Sequence, residues 1–294
     1  MKRKKKKIAD IAALVILLIL SVTVLLPVVF ITTHSFMSSR ELNAAYGDIL
    51  TAAASADESE DEPIAMDPHL IPREPSLKGY WDVFLATPDY LGKFWLSMFL
   101  TAAITGGQTV LACLGGYGFA KFRFPGKNLL FVLMVLLMML PLQVTLVPNY
   151  IVLDKLGWIG SYAALILPGI CSVFGVFLLT QTFRSIPDSI LEAARLDGAG
   201  QLKTLFYVVV PQAKAGIASL VILNFIDTWN MVEQPLVFLK ERAKYPLSIF
   251  LSQINNADPA HAFVCGILAM LPVLLLFLHF KDALMTGIEN SALK

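Results

Sequence analysis

The sequence predicts an all-α integral membrane protein of six transmembrane helices, with both termini cytoplasmic and short cytoplasmic helices between the fourth and fifth. Three observations predict it. Apolar residues make up 56% of the 294-residue chain and charged residues 15%, whereas a soluble domain typically carries about a quarter charged residues. Uncharged runs at residues 11–33, 94–120, 129–148, 156–183 and 262–280 reach the roughly 20 residues that cross a hydrocarbon core of about 30 Å. Inside lipid every backbone N–H and C=O must pair within its own segment, so runs of this kind are helices.

The first span follows Lys2-Arg3-Lys4-Lys5-Lys6-Lys7, which by the positive-inside rule holds the N-terminus in the cytoplasm. Its apolar run exceeds the 7–15 residues of a secretory signal core, and Ile31-Thr32-Thr33-His34 offers no A-x-A site, so an uncleaved helix is expected. Residues 34–93 then form an external polar loop. Its acidic insert, Asp57-Glu58-Ser59-Glu60-Asp61-Glu62, lacks the spacing and glycine of a calcium loop and reads as a solvated segment. From Ser76 to Phe84 aromatic residues recur at helical spacing, predicting an amphipathic helix at the outer surface.

In the second span Ala112, Gly116 and Ala120 stand four apart, a spacing that lets helices approach closely. Lys121-Phe122-Arg123-Phe124-Pro125-Gly126-Lys127 makes a basic cytoplasmic turn. Pro141, Pro168 and Pro272 fall inside spans, where they kink helices. The fifth span, residues 211–230, is weaker, with Lys214 near one end and Asp227 near the other. Pro211 suits its first turn.

With six spans, residues 1–7, 121–127, 184–214 and 281–294 are cytoplasmic and hold most of the 23 Lys and Arg residues. The chain then divides into a basic start and first helix at 1–33, the external loop at 34–93, a five-helix core at 94–281 with a coupling loop at 184–210, and a cytoplasmic tail at 282–294. A net charge of +1 gives no electrostatic case for nucleic acid. Cys113, Cys171 and Cys265 lie within spans and far apart, as buried apolar thiols do, without metal-ligand spacing. His34, His69, His261 and His279 are equally scattered. No metal site, catalytic group or bound cofactor is expected.

The polar segment between the fourth and fifth spans is the most informative. In Glu192-Ala193-Ala194-Arg195-Leu196-Asp197-Gly198, Ser189 and Glu192 fit a capping box, the alanines favour helix, and Gly198 can end it in the left-handed conformation. A second short helix is predicted over 201–209, leading to Val208-x-Val210-Pro211.

The layout E-A-A-x3-G-x9-(apolar)-x-(apolar)-P resembles the cytoplasmic signature of membrane-spanning subunits in bacterial ABC importers. Phe183-Arg184-Ser185-Ile186-Pro187, Trp229-Asn230, Tyr245-Pro246-Leu247-Ser248 and the last span extend the likeness over about residues 76–294. They place it in the carbohydrate-uptake branch, similar to the second permease of the maltose importer. The acidic insert departs from that pattern. The resemblance implies a non-catalytic permease of the bacterial cytoplasmic membrane. Its implied partners are a second permease, an ATPase dimer that carries ATP and Mg, and an external solute-binding protein. It also implies that Glu192, Ala193, Ala194, Asp197 and Gly198 dock in the ATPase, because this chain has no G-x4-G-K-[ST] of its own.

Polar groups in the spans are the candidates for a substrate pathway: Gln143, Asn224, Asp227, Trp229 and Asn230. An intramembrane acid costs about 2.5–3.5 kcal/mol at a helix centre and often marks function. For each, interhelical hydrogen bonding or interface anchoring is the alternative. A permease for another solute, or an ion-coupled carrier, stands as the competing reading. The carrier predicts buried acids at the bilayer centre, and only Asp227, away from the centre, is present.

Overall fold

The computed structural model describes residues 2–54, 69–86, 88–254 and 259–292, and the acidic insert lies outside them. The described residues are helical apart from loops, turns and an isolated bridge between Met37 and Pro75. In chain order the helices are α1 (Lys2–His34), α2 (Ser39–Ala54), α3 (Lys78–Trp81), α4 (Pro88–Lys121), α5 (Lys127–Met138), α6 (Leu142–Lys155), α7 (Ala163–Ile170) and α8 (Val173–Arg184). There follow α9 (Asp188–Leu196), α10 (Gln201–Thr204), α11 (Val210–Gln212), α12 (Lys214–Trp229), α13 (Glu233–Phe238), α14 (Leu247–Ile254) and α15 (Pro259–Ala292). The α3 segment continues as a π turn, Asp82–Ala86, at the expected surface helix.

Among the described residues four helical stretches are long and apolar enough to cross a membrane: Ile11–His34, Asp89–Lys121, Ala163–Arg184 and Ala260–Met285. Two bent pairs bring the number to six if each pair is one crossing. The first stretch has a mean hydropathy of 3.2, and its apolar window buries nothing against the protein. Lipid is the solvent that suits such a surface.

The third and fourth spans differ from the expectation. Residues 129–148 are not one helix, because α5 and α6 meet at 106°. Pro141 caps α6 with an extended backbone (φ −61°, ψ 143°); its missing N–H and its restriction of Leu140 stop α5. The fourth span begins at Ala163 rather than 156, since Gly157 and Gly160 take positive φ and turn the chain first. The fifth bends by 84° between α11 and α12. Pro211 lies before that bend, in α11, so the spanning helix starts at Lys214 and not at the proline. Leu205–Val209 widen to a π-helix just upstream.

The chain divides into two units, residues 1–92 with 250–270, and residues 93–249 with 271–294. In the first, Met37, Leu42 and Ala260 form a core with Tyr46 and Phe263 against it. Buried His34 bonds the Tyr46 hydroxyl at 2.7 Å. Glu41 clasps the returning loop: its carboxylate accepts from the Arg73 and Glu74 amides at 2.7 and 3.2 Å and lies 2.6 Å from His69 Nε2. Burial pushes the Glu41 carboxyl up, but the bonds from Arg73, His69 and Glu74 outweigh it and hold it below its ordinary value.

A carboxyl held low in the fold stabilises fully above its unfolded pKa, and that contribution is lost as pH falls through the folded one. Glu41→Gln is therefore expected to lower the hydrogen-exchange protection factors of the Arg73 and Glu74 amides at pH 7 by about tenfold, the equivalent of about 1.4 kcal/mol. Unchanged protection would show that the loop is held by other contacts. Acidifying the parent protein through the folded pKa should give the same release.

In the second unit a core of Ala112, Cys113, Tyr117, Leu179, Phe183, Leu205, Val209 and Leu220 joins α4, α8 and α12 to the segment over 205–209. The small residues of α4 do what their spacing predicts. A Cβ on Gly116 would stand 2.9 Å from Leu179 Cβ and 3.1 Å from the Thr180 backbone nitrogen, so only glycine permits this α4–α8 approach. Cys113 and Cys265 are buried as expected, but Cys171 is exposed. It sits where α7 ends and Ser172 caps α8 by accepting from the Gly175 amide, a break that lifts it from the packed face.

Candidate functional site

Two parts of the second unit carry the polar chemistry: the α9 segment and a cavity beside α12.

Pro187 enters α9 extended (φ −60°, ψ 138°) and is its N-cap, without a side-chain cap. The predicted capping box is therefore absent. The helix begins at Asp188, which puts Ser189 inside the first turn rather than before it. The carboxylate in that first turn is Asp188, favourably placed at the helix N-terminus. The exit is as predicted. Gly198 has φ +80°, its N–H donates to Arg195 O at 3.0 Å, and the Ala199 N–H donates to Ala194 O at 2.9 Å. These two bonds close a Schellman motif and satisfy carbonyls that the helix end would orphan.

The helix has two faces. Leu191 is buried in the α4–α8 core with Ile190 against it, while Glu192, Ala193, Arg195, Asp197 and Gly198 are exposed and Ala194 is half-buried. Leu196 is 89% exposed, and Leu202, Phe206 and Tyr207 are exposed on the following segment. These four apolar residues went unread in the sequence. Their only signal was register: each falls opposite a buried neighbour once the helix limits are known.

The end of α4 grips this segment at both its limits. Lys121 Nζ donates to Ile186 O at 2.6 Å and to Asp188 Oδ1 at 2.8 Å, and its side chain is 6% exposed against 78% for Asp188. The hydrogen bond from Lys121, with its charge, holds the Asp188 carboxyl below its usual range. Tyr117 Oη donates to Gln201 Oε1 at 3.1 Å. Arg184, ending α8, lies 4.8 Å over the Phe131 ring.

The cavity has a volume of about 440 Å³ and is lined from α4, α6, α7, α12 and α13, with Gln108, Asn149, Asp227, Asn230, Glu233 and Gln234 as its main polar residues. Of the five candidates for a substrate pathway, the fold brings Asp227 and Asn230 to this wall. Gln143 is exposed and outside the lining, donating to Glu233 Oε1 at 3.1 Å. Asn224 and Trp229 are buried elsewhere: Asn224 Nδ2 has no partner among the described residues, and Trp229 stacks on Phe225 and meets Phe94 edge-on. Glu233, Gln108, Asn149 and Gln234 were missed because they reach the cavity from three helices, α4, α6 and α13, whose meeting depends on the bends.

The family described as binding-protein-dependent transport system inner membrane component matches residues 108–290. The arabinooligosaccharides transport system permease protein AraQ of Bacillus subtilis (strain 168) is 31% identical over 229 residues, covering 76% of this chain and 80% of that protein. The sn-glycerol-3-phosphate transport system permease protein UgpE of Pectobacterium atrosepticum is 34% identical over 206 residues, covering 68% and 73%. The fold is similar to a chain in the crystal structure of a bacterial ABC transporter involved in the import of the acidic polysaccharide alginate. The TM-score is 0.77 at 21% identity, over 95% of this chain and 97% of that one.

Proposed function

The chain belongs to the family of binding-protein-dependent transport system inner membrane components, and on that premise we propose that it forms half of the transmembrane pathway of an ATP-driven importer for sugars or oligosaccharides. It is a transport subunit rather than an enzyme, and a multi-pass protein of the inner membrane. In this reading it has six crossings and both termini in the cytoplasm. It pairs with a second permease, receives solute from an external binding protein, and rests on an ATPase dimer where ATP and Mg are bound.

One observation carries the coupling role. The α9 helix is locked at both ends and packed through Ile190 and Leu191, yet turns Glu192, Ala193, Asp197 and Gly198 outward with an uncovered Leu196. A rigid element with an exposed apolar residue among small ones suits docking into a cleft. Displacement of α9 passes to α4 through Lys121 and Tyr117, and α4 carries Gln108 at the cavity. The 34% identity to a glycerol 3-phosphate permease favours a second reading of the solute.

Affinity purification of the tagged chain from its native membranes in mild detergent tests the assembly. A second permease and an ATPase are expected in stoichiometric amounts. A chain that purifies alone and still moves solute in vesicles would be a self-contained carrier, and the reading would fail.

A further inference from the structure

We infer that the cavity beside α12 selects uncharged, hydroxyl-rich saccharides and rejects phosphorylated or carboxylated ones; this rests on the pathway reading above and decides between its two solutes. Gln108 Nε2 donates to Gly169 O at 2.8 Å, Asn230 Nδ2 to Ile226 O at 2.8 Å, and Gln143 Nε2 to the Glu233 carboxylate. Each of those partners can only accept, so chemistry fixes which way every amide faces. Each of these amide nitrogens thus spends one of its two N–H donors inside the protein, and the cavity keeps amide oxygens as acceptors. Gln108 Oε1 is buried with no partner among the described residues.

Two carboxylates, Asp227 and Glu233, complete the wall, and among the described residues no Lys, Arg or His lines it. Asn149 and Gln234 are the lining amides whose donors no described bond takes up. A phosphate or carboxylate group brings only acceptors and negative charge, so it would meet like charge from Asp227 and Glu233 with no cation in the lining to offset it. Saccharide hydroxyls bring O–H donors to a surface that lacks partners for its oxygens. Leaving buried acceptors unmatched costs discrimination that apolar contacts cannot supply.

The electrostatic half can be read without knowing the solute. In a Cys171→Ser background, which removes the exposed native thiol, Asn149→Cys places a thiol on the cavity wall, and Gln234→Cys is a second such variant. Each is assembled with its native partners in membranes and treated with thiosulfonate reagents of matched size, one cationic and one anionic. Clefts of one sign raise local counter-ion concentration by roughly 10–10³. The cationic reagent should therefore react at least about tenfold faster, after correction for its rate with a free thiol, and Asp227→Asn with Glu233→Gln should collapse that ratio. A flat or inverted ratio would overturn the inference, as would a thiol inert to both reagents. Uptake of sn-glycerol 3-phosphate by the intact importer, abolished by Gly198→Asp, would also overturn it while leaving the importer reading intact. Loss of the partners on purification would instead sink the importer reading itself.

Discussion

Replacing Gly198 with Asp is expected to lower uptake at least about thirtyfold while membrane levels stay near normal, the loss of an interface hot spot worth about 2 kcal/mol. The expectation comes from what surrounds the residue. A Cβ at Gly198 meets nothing within 4 Å, so no internal clash unfolds the chain. What a side chain does cost is the left-handed backbone, roughly 1–2 kcal/mol for most residues, and a protrusion on the face proposed to dock the ATPase. Asn tolerates the left-handed region but protrudes as far as Asp does. Loss of uptake in Gly198→Asn as well would assign the glycine to the docking cleft rather than to the turn. Glu192→Lys probes the same face without touching the backbone, since Glu192 is exposed and caps nothing. Full uptake in both Glu192→Lys and Gly198→Asp at normal levels would sink the coupling role. Retained uptake in Gly198→Asn alone would make the residue a helix terminator and leave docking to its neighbours.

The α9 segment was legible because its information is local. The alanines, the Gly198 terminator and the interval to Pro211 act within a few turns, and the Schellman bonds at Arg195 and Ala194 follow from one positive φ. The capping box failed on an equally local fact: Pro187 sets an extended entry and starts the helix at Asp188, two residues before a Ser189 cap would. The spans were legible from hydropathy, but hydropathy is blind to direction. Residues 129–148 are apolar on both sides of Pro141, and a proline kink and a 106° break have the same composition. The cavity could be read only in part for the same reason. Asp227 and Asn230 stand out as polar groups in a span, whereas Glu233 starts α13 and Asn149 lies midway along α6, and only the bends bring them to one wall.

Lys121→Met is expected to uncouple ATP hydrolysis from transport, lowering solute moved per ATP by about tenfold or more, whereas Asp188→Asn should change little. The two residues are bonded to each other, yet their surroundings differ. Lys121 is buried and reaches back over the chain to the Ile186 carbonyl, and a charged hydrogen bond of this kind is worth about 1.5–3 kcal/mol. Asp188 is largely in water, so the amide that replaces it still accepts from Lys121, and solvent screens what charge is lost. Met keeps the length and apolar packing of the lysine stem while removing the donor, so α9 stays folded on Leu191 but loses its tie to α4. Lys121→Arg, which restores charge without the same single-point geometry, should recover part of the coupling. The Asp188 carboxyl is held low by Lys121, so its share of the tie is complete at neutral pH and is lost only as pH falls through the folded value; the Ile186 bond persists there. Coupling measured in proteoliposomes should therefore survive mild acidification in the parent protein but be absent at every pH in Lys121→Met. Normal coupling in Lys121→Met with the ATPase still bound would show that displacement reaches the spans by another route, through the 205–209 segment into α12.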